Sequence, residues 1–566
     1  MAALFDNPDS PLWVDEANVV VGGIVNNTEP HLLSPDQAVR LLNINPTVAG
    51  RREKRLGVHA IGTGADGQNP NSLHEFYSPV DGLDHLLGQW GSGLYKTTGD
   101  DTWSRVASAC SLCNTPHMSA QGRGAGGLTS LFLASCVGVT DSASLPYGYL
   151  VSLTSGWAAT PATDVRPRSV AWFQGRNWVY NSCQTNHGST YLTWSKPLDG
   201  SDFSHGEGFH VVPNSADIGT VVLPCRDGTP RLFLFNERSV YQFDIFWETD
   251  GYYPASANAI DFTKASIRPL VVNTGCIAPR ACIWVPGQNQ ADVLFLSREG
   301  IRALSRSATD AQSGAPLPLS FRIQPTIDRI NWTHAERSCA AFWDGYAYFS
   351  VPVDGAVDPN FIIAYDVHRD AFLELDLDVN AWAEARLGSA RHLYFMSGTA
   401  GTEIYPGAAT GVSHGAHVYK WATGNVDPFN APIHFTEETR AFDFSSSVGG
   451  RPGDGMKIKK KFNYFDFAIQ SGDTGCTLTI DYKVDDDQTW NNLGYIYVDP
   501  DTAAPYLPVQ LPFGFGSGKI VRKTLLARKL QPGYKVQLRL DETSYARIKL
   551  IAVSLYANPC NPKITR

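Results

Sequence analysis

The residues most typical of a metal site are Cys110-Ser-Leu-Cys113, with His117 four residues further on. A structural zinc site normally takes four Cys or His ligands. The other eight cysteines form no second Cys-x-x-Cys pair. We therefore interpret Cys110 and Cys113 as ordinary thiols of a loop, and predict no metal site and no metal cofactor.

The segment Gly514-Phe-Gly-Ser-Gly-Lys519 has the composition of a phosphate-binding loop. The P-loop pattern requires Gly where this chain has Phe513, and Ser or Thr where it has Ile520. The segment is better interpreted as a loop between strands. No nucleotide or other cofactor is predicted.

Two turns resemble the Asp-boxes of sialidase propellers, Gly99-Asp-Asp-Thr-Trp103 and Asp485-Asp-Asp-Gln-Thr-Trp490, although Asp100 and Asp487 stand where the motif has glycine. An Asp-box is a structural turn, whereas a glycoside hydrolase needs two carboxylates at a defined separation. No nucleophile elbow or His-Glu-x-x-His pattern is present. We predict no catalytic residues and a chain that is not an enzyme. The alternative is a propeller protein that binds or hydrolyses host surface glycan.

The run Lys457-Ile-Lys-Lys-Lys-Phe462 has the charge to contact nucleic acid. Lysines also protect an edge strand from aggregation, and we favour that interpretation. Sequence-specific DNA recognition requires a recognition helix or an equivalent element, and none is predicted.

The middle of the chain consists of short apolar runs that are paired across polar turns. Such pairs predict β-hairpins. No helical pattern of 10–15 residues separates them, which argues against alternating β and α elements. The four clearest hairpins turn at Gln174-Gly175, Asn236-Glu237, Glu299-Gly300 and Asp344-Gly345.

The turns at 175, 237, 300 and 345 follow one another after 62, 63 and 45 residues. A propeller blade takes roughly 40–50 residues, so the spacing fits blades with insertions. Weaker candidates at 75–107, 129–158 and 388–421 bring the number to six or seven. We predict an all-β chain with a degenerate β-propeller over residues 66–435, and stacked sandwiches as the alternative.

The two ends of the chain differ from its middle. Residues 1–65 are predicted as a strand-helix segment, with a strand at Asn18–Val25 and a helix that starts at the capping box of Ser34, Pro35 and Gln37. Residues 436–566 are predicted as a C-terminal β-sandwich. Its strands are expected at 459–469, 476–484, 493–498, 534–540 and 546–555.

The charge is unevenly distributed. The chain has a net charge of −9, but residues 451–566 contain 17 Lys and Arg against 11 Asp and Glu, and the rest is strongly acidic. This division suits docking between subunits better than general nucleic-acid binding. We expect a soluble chain with no signal peptide, no membrane insertion and ten free thiols.

The order of elements in the N-terminal segment resembles the nozzle proteins of podovirus tails, also called tail tubular protein B. A Gly-Gly strand, a proline-started helix, an Asn and a basic Arg-x-Gly element are expected to follow in order. They are Val21-Gly-Gly-Ile24, Leu33–Ala38, Leu42-Asn43-Ile44 and Lys54-Arg-Leu-Gly57. Further family-like phrases are Tyr191–Ser195, Thr274–Pro279, Arg298–Ala303 and Ile323–Asn331.

This resemblance implies a structural component of a short bacteriophage tail. The chain would form a ring, commonly of six copies, in the conduit for genome delivery and retention. The implied partners are portal and adaptor proteins, tail fibres or spikes, and genomic DNA that passes through the lumen without sequence-specific binding. The implied location is the tail of the virion, after assembly in the host cytoplasm.

Overall fold

The computed structural model describes residues 12–560 with a set of gaps, and its regular structure is almost entirely β. The only α-helices among these residues are the short segments Leu304–Asp310, Gln324–Ile327 and Ser445–Val448. Within the same residues, no helix is long and apolar enough to cross a membrane. The all-β prediction is therefore confirmed for the described chain. The gaps are 18, 47–49, 64–69, 100–101, 107–111, 113–114, 125–127, 136–147, 154–155, 163–164, 166, 183–189, 205–207, 213–216, 227, 248–259, 288–290, 311–316, 398–416, 425, 428–430, 449–450, 452, 471–474 and 499–519.

The N-terminal segment contributes strands to three different sheets. Its strands are β1 (Trp13–Glu16), β2 (Gly23–Ile24), β3 (Gln37–Leu42), β4 (Ile44–Pro46), β5 (Arg52–Lys54) and β6 (Gly57–Thr63).

The predicted helix after Ser34 is wrong, because β3 occupies that position. The local bond of a capping box does form, since the Ser34 N–H donates to Gln37 Oε1 at 3.1 Å. It closes a turn, after which the chain pairs with strands far away in sequence. A bulge between Ala38 and Arg40 shifts the alternation, so Ala38 and Leu41 are both buried. That spacing of three residues imitates a helical period.

Four antiparallel sheets of four strands follow along the chain. Each is a meander whose strands pair in chain order. The first contains β7 (Pro70–Ser78), β8 (Leu83–Trp90), β9 (Gly93–Thr97) and β10 (Ser104–Arg105). The second contains β11 (His117–Arg123), β12 (Thr129–Ser135), β13 (Gly148–Leu153) and β14 (Trp157–Ala162). The third contains β15 (Pro167–Phe173), β16 (Arg176–Ser182), β17 (Tyr191–Trp194) and β18 (Gly208–His210). The fourth contains β19 (Gly219–Pro224), β20 (Arg231–Asn236), β21 (Ser239–Asp244) and β22 (Ser266–Val272).

Three more meanders complete the series. The seventh acquires β6 as its outermost strand, so residues near the N-terminus close a sheet made from residues beyond 380. The fifth contains β23 (Cys282–Val285), β24 (Asp292–Ser297) and β25 (Gly300–Ala303). The sixth contains β26 (Cys339–Trp343), β27 (Tyr346–Val351), β28 (Phe361–Asp366) and β29 (Ala371–Leu375). The seventh contains β30 (Ala381–Leu387), β31 (Ala390–Ser397) and β32 (His417–Gly424).

The first strands of neighbouring sheets contact each other at six of the seven steps around the series, an arrangement that is propeller-like. β7 contacts β11, β11 contacts β15, and β15 contacts β19. On the other side β23 contacts β26, β26 contacts β30, and β30 contacts β7. The fourth and fifth sheets share a cluster of buried residues that includes Phe235 and Phe295, whose ring centroids are 5.3 Å apart.

The predicted hairpins are present, and two of the turns follow directly from their residues. Gln174 and Gly175 have φ of 50° and 72°, and Asp344 and Gly345 have φ of 49° and 84°. Positive φ at both central positions is the geometry of a type I′ turn, which matches the twist of the flanking strands.

The C-terminal strands enter two large sheets together with N-terminal strands. These strands are β33 (His434–Thr439), β34 (Lys460–Gln470), β35 (Cys476–Val484), β36 (Asn491–Val498), β37 (Ile520–Leu526), β38 (Val536–Thr543) and β39 (Lys549–Pro559). A six-stranded sheet has the order β37-β34-β39-β5-β4, with β1 on β39. A ten-stranded sheet continues the sixth meander from β29 through β3, β33, β38, β35 and β36, with β2 on β3. Side chains of both sheets belong to one cluster of buried residues.

The lysine-rich run does not protect an edge strand. β34 lies inside the six-stranded sheet, between β37 and β39. Lys460 is fully buried, and its Nζ donates to the carbonyl oxygens of Gly455 and Tyr534, both at 2.6 Å. Burial lowers the pKa of Lys460 to about 8. Lys457, Lys459 and Lys461 are exposed.

Candidate functional site

Two polar clusters stand out among the described residues, and the first is a buried junction between the two large sheets. It consists of Asn43, Arg52, Lys54 and Arg55 with their carboxylate partners. Asn43 has φ of 56° and lies between β3 and β4. Its N–H donates to the carbonyl oxygen of Glu374 at 2.8 Å, and its Nδ2 donates to that of His434 at 2.6 Å. Asn43 thereby holds the end of β29 against the start of β33.

Arg55 extends the junction towards the seventh meander. Its Nε donates to Asn43 Oδ1 at 2.8 Å, and its Nη2 lies 2.6 Å from Asp427 Oδ1. The guanidinium carbon also lies 5.7 Å from the ring centroid of Trp421 in β32. One buried cation therefore links β5, the loop after β32 and the Asn43 turn.

β5 sends two further cations into the space between the two large sheets. Arg52 Nε lies 2.8 Å from Glu437 Oε1 of β33, and Lys54 Nζ lies 2.5 Å from Glu542 Oε2 of β38. All four side chains are almost fully buried. Alternation along a strand explains why Glu53 points outward, where it pairs with Arg547 at 2.7 Å. The buried pairs connect the six-stranded sheet to the ten-stranded sheet.

Burial disfavours the charged forms of the ionisable side chains in the junction. Burial raises the pKa of Glu437, although the Arg52 guanidinium partly offsets this. Burial also lowers the pKa of Lys54, and the Glu542 carboxylate acts in the opposite direction. Removing two ions from water is costly unless each has a partner of opposite charge. The pairs therefore stabilise this packing only as complete pairs.

Two glycines of the N-terminal pattern lie where the backbone leaves no room for a side chain. A Cβ on Gly57 would lie 2.1 Å from the carbonyl oxygen of Val426. Gly23 has φ of +67°, and a Cβ there would lie 2.8 Å from the carbonyl oxygen of Phe372. Both glycines permit close approach between the N-terminal segment and the sixth and seventh meanders.

The second cluster is an axial pocket, at the end of the propeller-like arrangement where the first strands begin. It is a cavity of about 160 Å³. Five of the seven meanders contribute to it. Its lining consists of Ser72, Leu73, His74, His117, Met118, Ser119, Arg280, Cys339, Ala340, Ala381 and Trp382.

Arg280 connects four meanders at this end of the axis. It precedes β23, and its Nη1 donates to the carbonyl oxygens of Asn71 at 3.1 Å and Asn380 at 2.8 Å. Its Nη2 donates to the carbonyl oxygen of Arg337 at 2.6 Å. Those carbonyls lie at or just before the first strands of the first, seventh and sixth meanders. The guanidinium is thus a structural tie across the axis.

The two pocket histidines are buried and uncharged at neutral pH. His74 Nε2 lies 3.0 Å from Ser72 Oγ, and His117 Nδ1 lies 2.8 Å from the carbonyl oxygen of Thr115. Burial lowers the pKa of His74 to about 3, with further lowering from His117 and Arg280. Burial also lowers the pKa of His117 to about 4, although the bond to Thr115 raises it.

Most residues considered for chemistry in the sequence do not meet in this structure. Cys110, Cys113 and the segment 514–519 lie outside the described residues. The described residues contain no group of three or more Cys, His, Asp or Glu placed to hold a metal ion. Asp485 forms a turn, in which its Oδ1 accepts the N–H groups of Tyr534 and Lys535. Asp100 and Asp101 of the other turn are also outside the described residues.

Sequence reasoning missed the pocket, although it named His117 for another reason. Arg280 directly follows the phrase Thr274–Pro279, and His74 is an isolated histidine in a strand. No local pattern marks either residue, because the pocket forms only when distant strands meet.

Comparisons with known proteins identify no family for the chain. No family model matches it, and no curated protein matches it. The similar solved structures include a luciferin-regenerating enzyme with 11% identity and a TM-score of 0.29, covering 64% of this chain and 94% of that one. They include the Trypanosoma rangeli sialidase with 10% identity, a TM-score of 0.24 and 97% of each chain covered. They also include the Bacteroides ovatus xyloglucan PUL GH43B, with 9% identity, a TM-score of 0.21, and 89% and 100% covered.

Proposed function

We propose that this chain is a structural subunit of a short bacteriophage tail, in which it forms part of the conduit for genome delivery and retention. In this proposal the seven meanders are the blades of a closed β-propeller, and the two large sheets form a β-sandwich beside it. The subunit assembles as a closed ring, with sixfold symmetry expected from the resemblance to nozzle proteins. Portal or adaptor proteins and tail fibres or spikes are its partners.

The observation that carries this proposal is the position of the residues on which the resemblance rests. Gly23, Asn43, Arg55 and Gly57 all lie in the buried junction or at its close backbone approaches. The shared pattern therefore concerns how two β parts are joined. A rigid subunit requires a junction of this kind, because the two β parts of a conduit wall must stay fixed relative to each other under force.

Assembly tests the proposal directly. Native mass spectrometry and electron microscopy of the full chain, with and without an adaptor ring as template, are expected to show closed rings. Particle imaging should place the chain in the tail. Isolated single copies in the particle, or a position outside the tail, would overturn the proposal.

The matched variants for this test are Arg55→Met in the junction and Arg547→Ala on the surface. Arg55→Met is expected to abolish ring formation, because it leaves Asp427 buried without its cation. Arg547→Ala removes a pair with a half-exposed arginine and should assemble as the parent chain does. Equal assembly of both variants would contradict the role assigned to the junction.

A second candidate function, carbohydrate binding, is favoured by two exposed tyrosines. Tyr495 and Tyr497 of β36 are 72% and 52% exposed, and they lie on one face because their spacing is two. In register they face Thr479 and Thr477 of β35. Exposed aromatic rings beside hydroxyl groups provide an amphipathic surface that suits a sugar ring.

Binding and hydrolysis of glycan are separable by experiment. The described lining of the axial pocket contains no carboxylate, whereas glycoside hydrolysis typically uses two. Affinity electrophoresis in host surface polysaccharide should retard the isolated chain if this candidate is correct, and the double variant Tyr495→Ala/Tyr497→Ala should abolish the retardation. Unchanged mobility of the parent chain would exclude glycan binding, and release of reducing sugar would support a hydrolase instead.

A further inference from the structure

The axial pocket has a positive charge that its described lining does not balance. Arg280 is a fixed cation, and the lining has no Asp or Glu. Arg280 lowers the pKa of both His74 and His117, so its field acts on both imidazoles.

Arg280 is held in place and still has donors to offer. A guanidinium has five N–H donors, and three of them are directed to the carbonyls of Asn71, Asn380 and Arg337. Its Nε has no hydrogen-bond partner among the described residues. Because the three bonds already fix the side chain, a ligand would lose little free energy in ordering it.

One ring nitrogen of each histidine is in a hydrogen bond to a neighbouring group. His74 is held through Nε2 by Ser72, and His117 is held through Nδ1 by the carbonyl of Thr115. The bond to a carbonyl makes His117 Nδ1 the donor, so Nε2 carries the lone pair in the neutral ring. Protonation converts the remaining nitrogen of each ring into a donor.

We propose that the axial pocket binds one small oxyanion, an inorganic phosphate or a carboxylate group, between Arg280, His74 and His117. A cavity of about 160 Å³ has room for an ion of this size. It is smaller than the ~300–1,000 Å³ that is typical of sites for larger ligands. The bound anion supplies the negative charge that is missing from the lining, and it accepts a hydrogen bond from Arg280. His74 and His117 are neutral without it, and its charge favours their protonated forms, so each imidazole then donates to the anion as well.

The anion would also strengthen the closure of the sheets. His74 belongs to β7, His117 begins β11, and Arg280 precedes β23. One ion would therefore bridge the first, second and fifth meanders across the axis. Binding to the folded state alone stabilises that state in proportion to the logarithm of ligand concentration.

Calorimetric titration and thermal unfolding of the full chain test this inference with sodium phosphate and sodium acetate as separate probes. Sodium chloride keeps the ionic strength constant. Saturable binding of at least one probe, with a rise in the unfolding temperature that chloride does not reproduce, is expected. Phosphate binding alone indicates a tetrahedral ligand, and acetate binding alone indicates a carboxylate. If neither probe binds saturably, the inference is wrong.

Variants locate the site. His117→Gln and His74→Gln are each expected to weaken binding at least tenfold, whereas His59→Gln, on an exposed residue of β6, should not change it. Hydrogen exchange gives a second measurement that does not depend on these variants, since the bound anion should slow exchange in β7 and β11. Equal affinity of all three variants, or no change in exchange at β7 and β11, would contradict the placement.

Discussion

The buried junction and the axial pocket both place cations out of water, but they compensate them differently. In the junction each cation meets a carboxylate from another element, as Arg52 meets Glu437 and Lys54 meets Glu542. In the axial pocket Arg280 meets backbone carbonyls, and the neighbouring imidazoles remain neutral. Side-chain pairs have no charge left for a ligand, whereas carbonyl dipoles leave a net positive charge. The junction is therefore suited to joining parts, and the pocket to binding.

The largest expected effect follows from breaking one junction pair. Arg52→Met should lower the free energy of unfolding by about 3–5 kcal/mol, because Glu437 would remain buried without its cation. The double variant Arg52→Met/Glu437→Leu should recover most of that loss, since both charges are then absent. Urea denaturation of the three chains measures both effects. If the double variant is as unstable as the single one, the ion pair itself is needed for stability, and the loss in Arg52→Met does not come from the unpaired Glu437.

Removing the Arg280 guanidinium from the axial pocket should lower the free energy of unfolding somewhat less than Arg52→Met does. Arg280→Met deprives three carbonyls of a charged donor, and we expect a loss of about 3 kcal/mol. Hydrogen exchange should rise at the starts of β7, β26 and β30, where those carbonyls lie. If exchange rises only near β23, Arg280 does not connect the meanders.

The neutral histidines make stability depend on pH in a direction that can be stated. The pKa of His74 is about 3 and that of His117 about 4 in the folded chain, below the ordinary value of 6.5. The unfolded chain therefore binds more protons between these values, and stability is lost as pH falls below 6.5. At pH 5 the loss is about 2 kcal/mol for each imidazole relative to pH 7.5.

Denaturation of the parent chain and of His74→Gln/His117→Gln at both pH values isolates this contribution. The double variant should lose less stability on acidification, and the difference between the chains is the quantity to compare. An identical pH dependence of both chains would show that the two imidazoles titrate in the folded chain as they do in the unfolded chain.

The smallest effect on stability is expected from a surface ion pair between the seventh and the first meander. Arg391 of the seventh meander lies 2.5 Å from Glu75 of the first and 2.9 Å from Glu384. Because the arginine is half-exposed, Arg391→Ala should change the free energy of unfolding by no more than about 1 kcal/mol. A loss of unfolding free energy as large as that of Arg52→Met would mean that solvent exposure does not explain the difference between surface and buried ion pairs.

Local residue chemistry was sufficient to predict many of the strands and several turns. Gly175, Asp344 and Gly345 adopt positive φ readily, so the local residues favour both hairpin turns. The predicted strand 476–484 coincides with β35 for the same kind of reason, an alternation of buried and exposed residues. β33 and β37 were not predicted. The division into 1–65, 66–435 and 436–566 stays a prediction, although strands from the first segment enter sheets of both others.

What only the tertiary structure decided is which distant residues meet. The segment after Ser34 became a strand because β2 and β33 offer hydrogen bonds that outweigh its local helical signal. Lys460 is buried because the chain at Gly455 and Tyr534 covers its ammonium group and supplies carbonyl acceptors. Arg280 reaches carbonyls 209 and 100 residues away. Strand pairing and burial depend on contacts far apart in sequence, so the amino-acid pattern specifies the elements while their packing assembles the junction and the pocket.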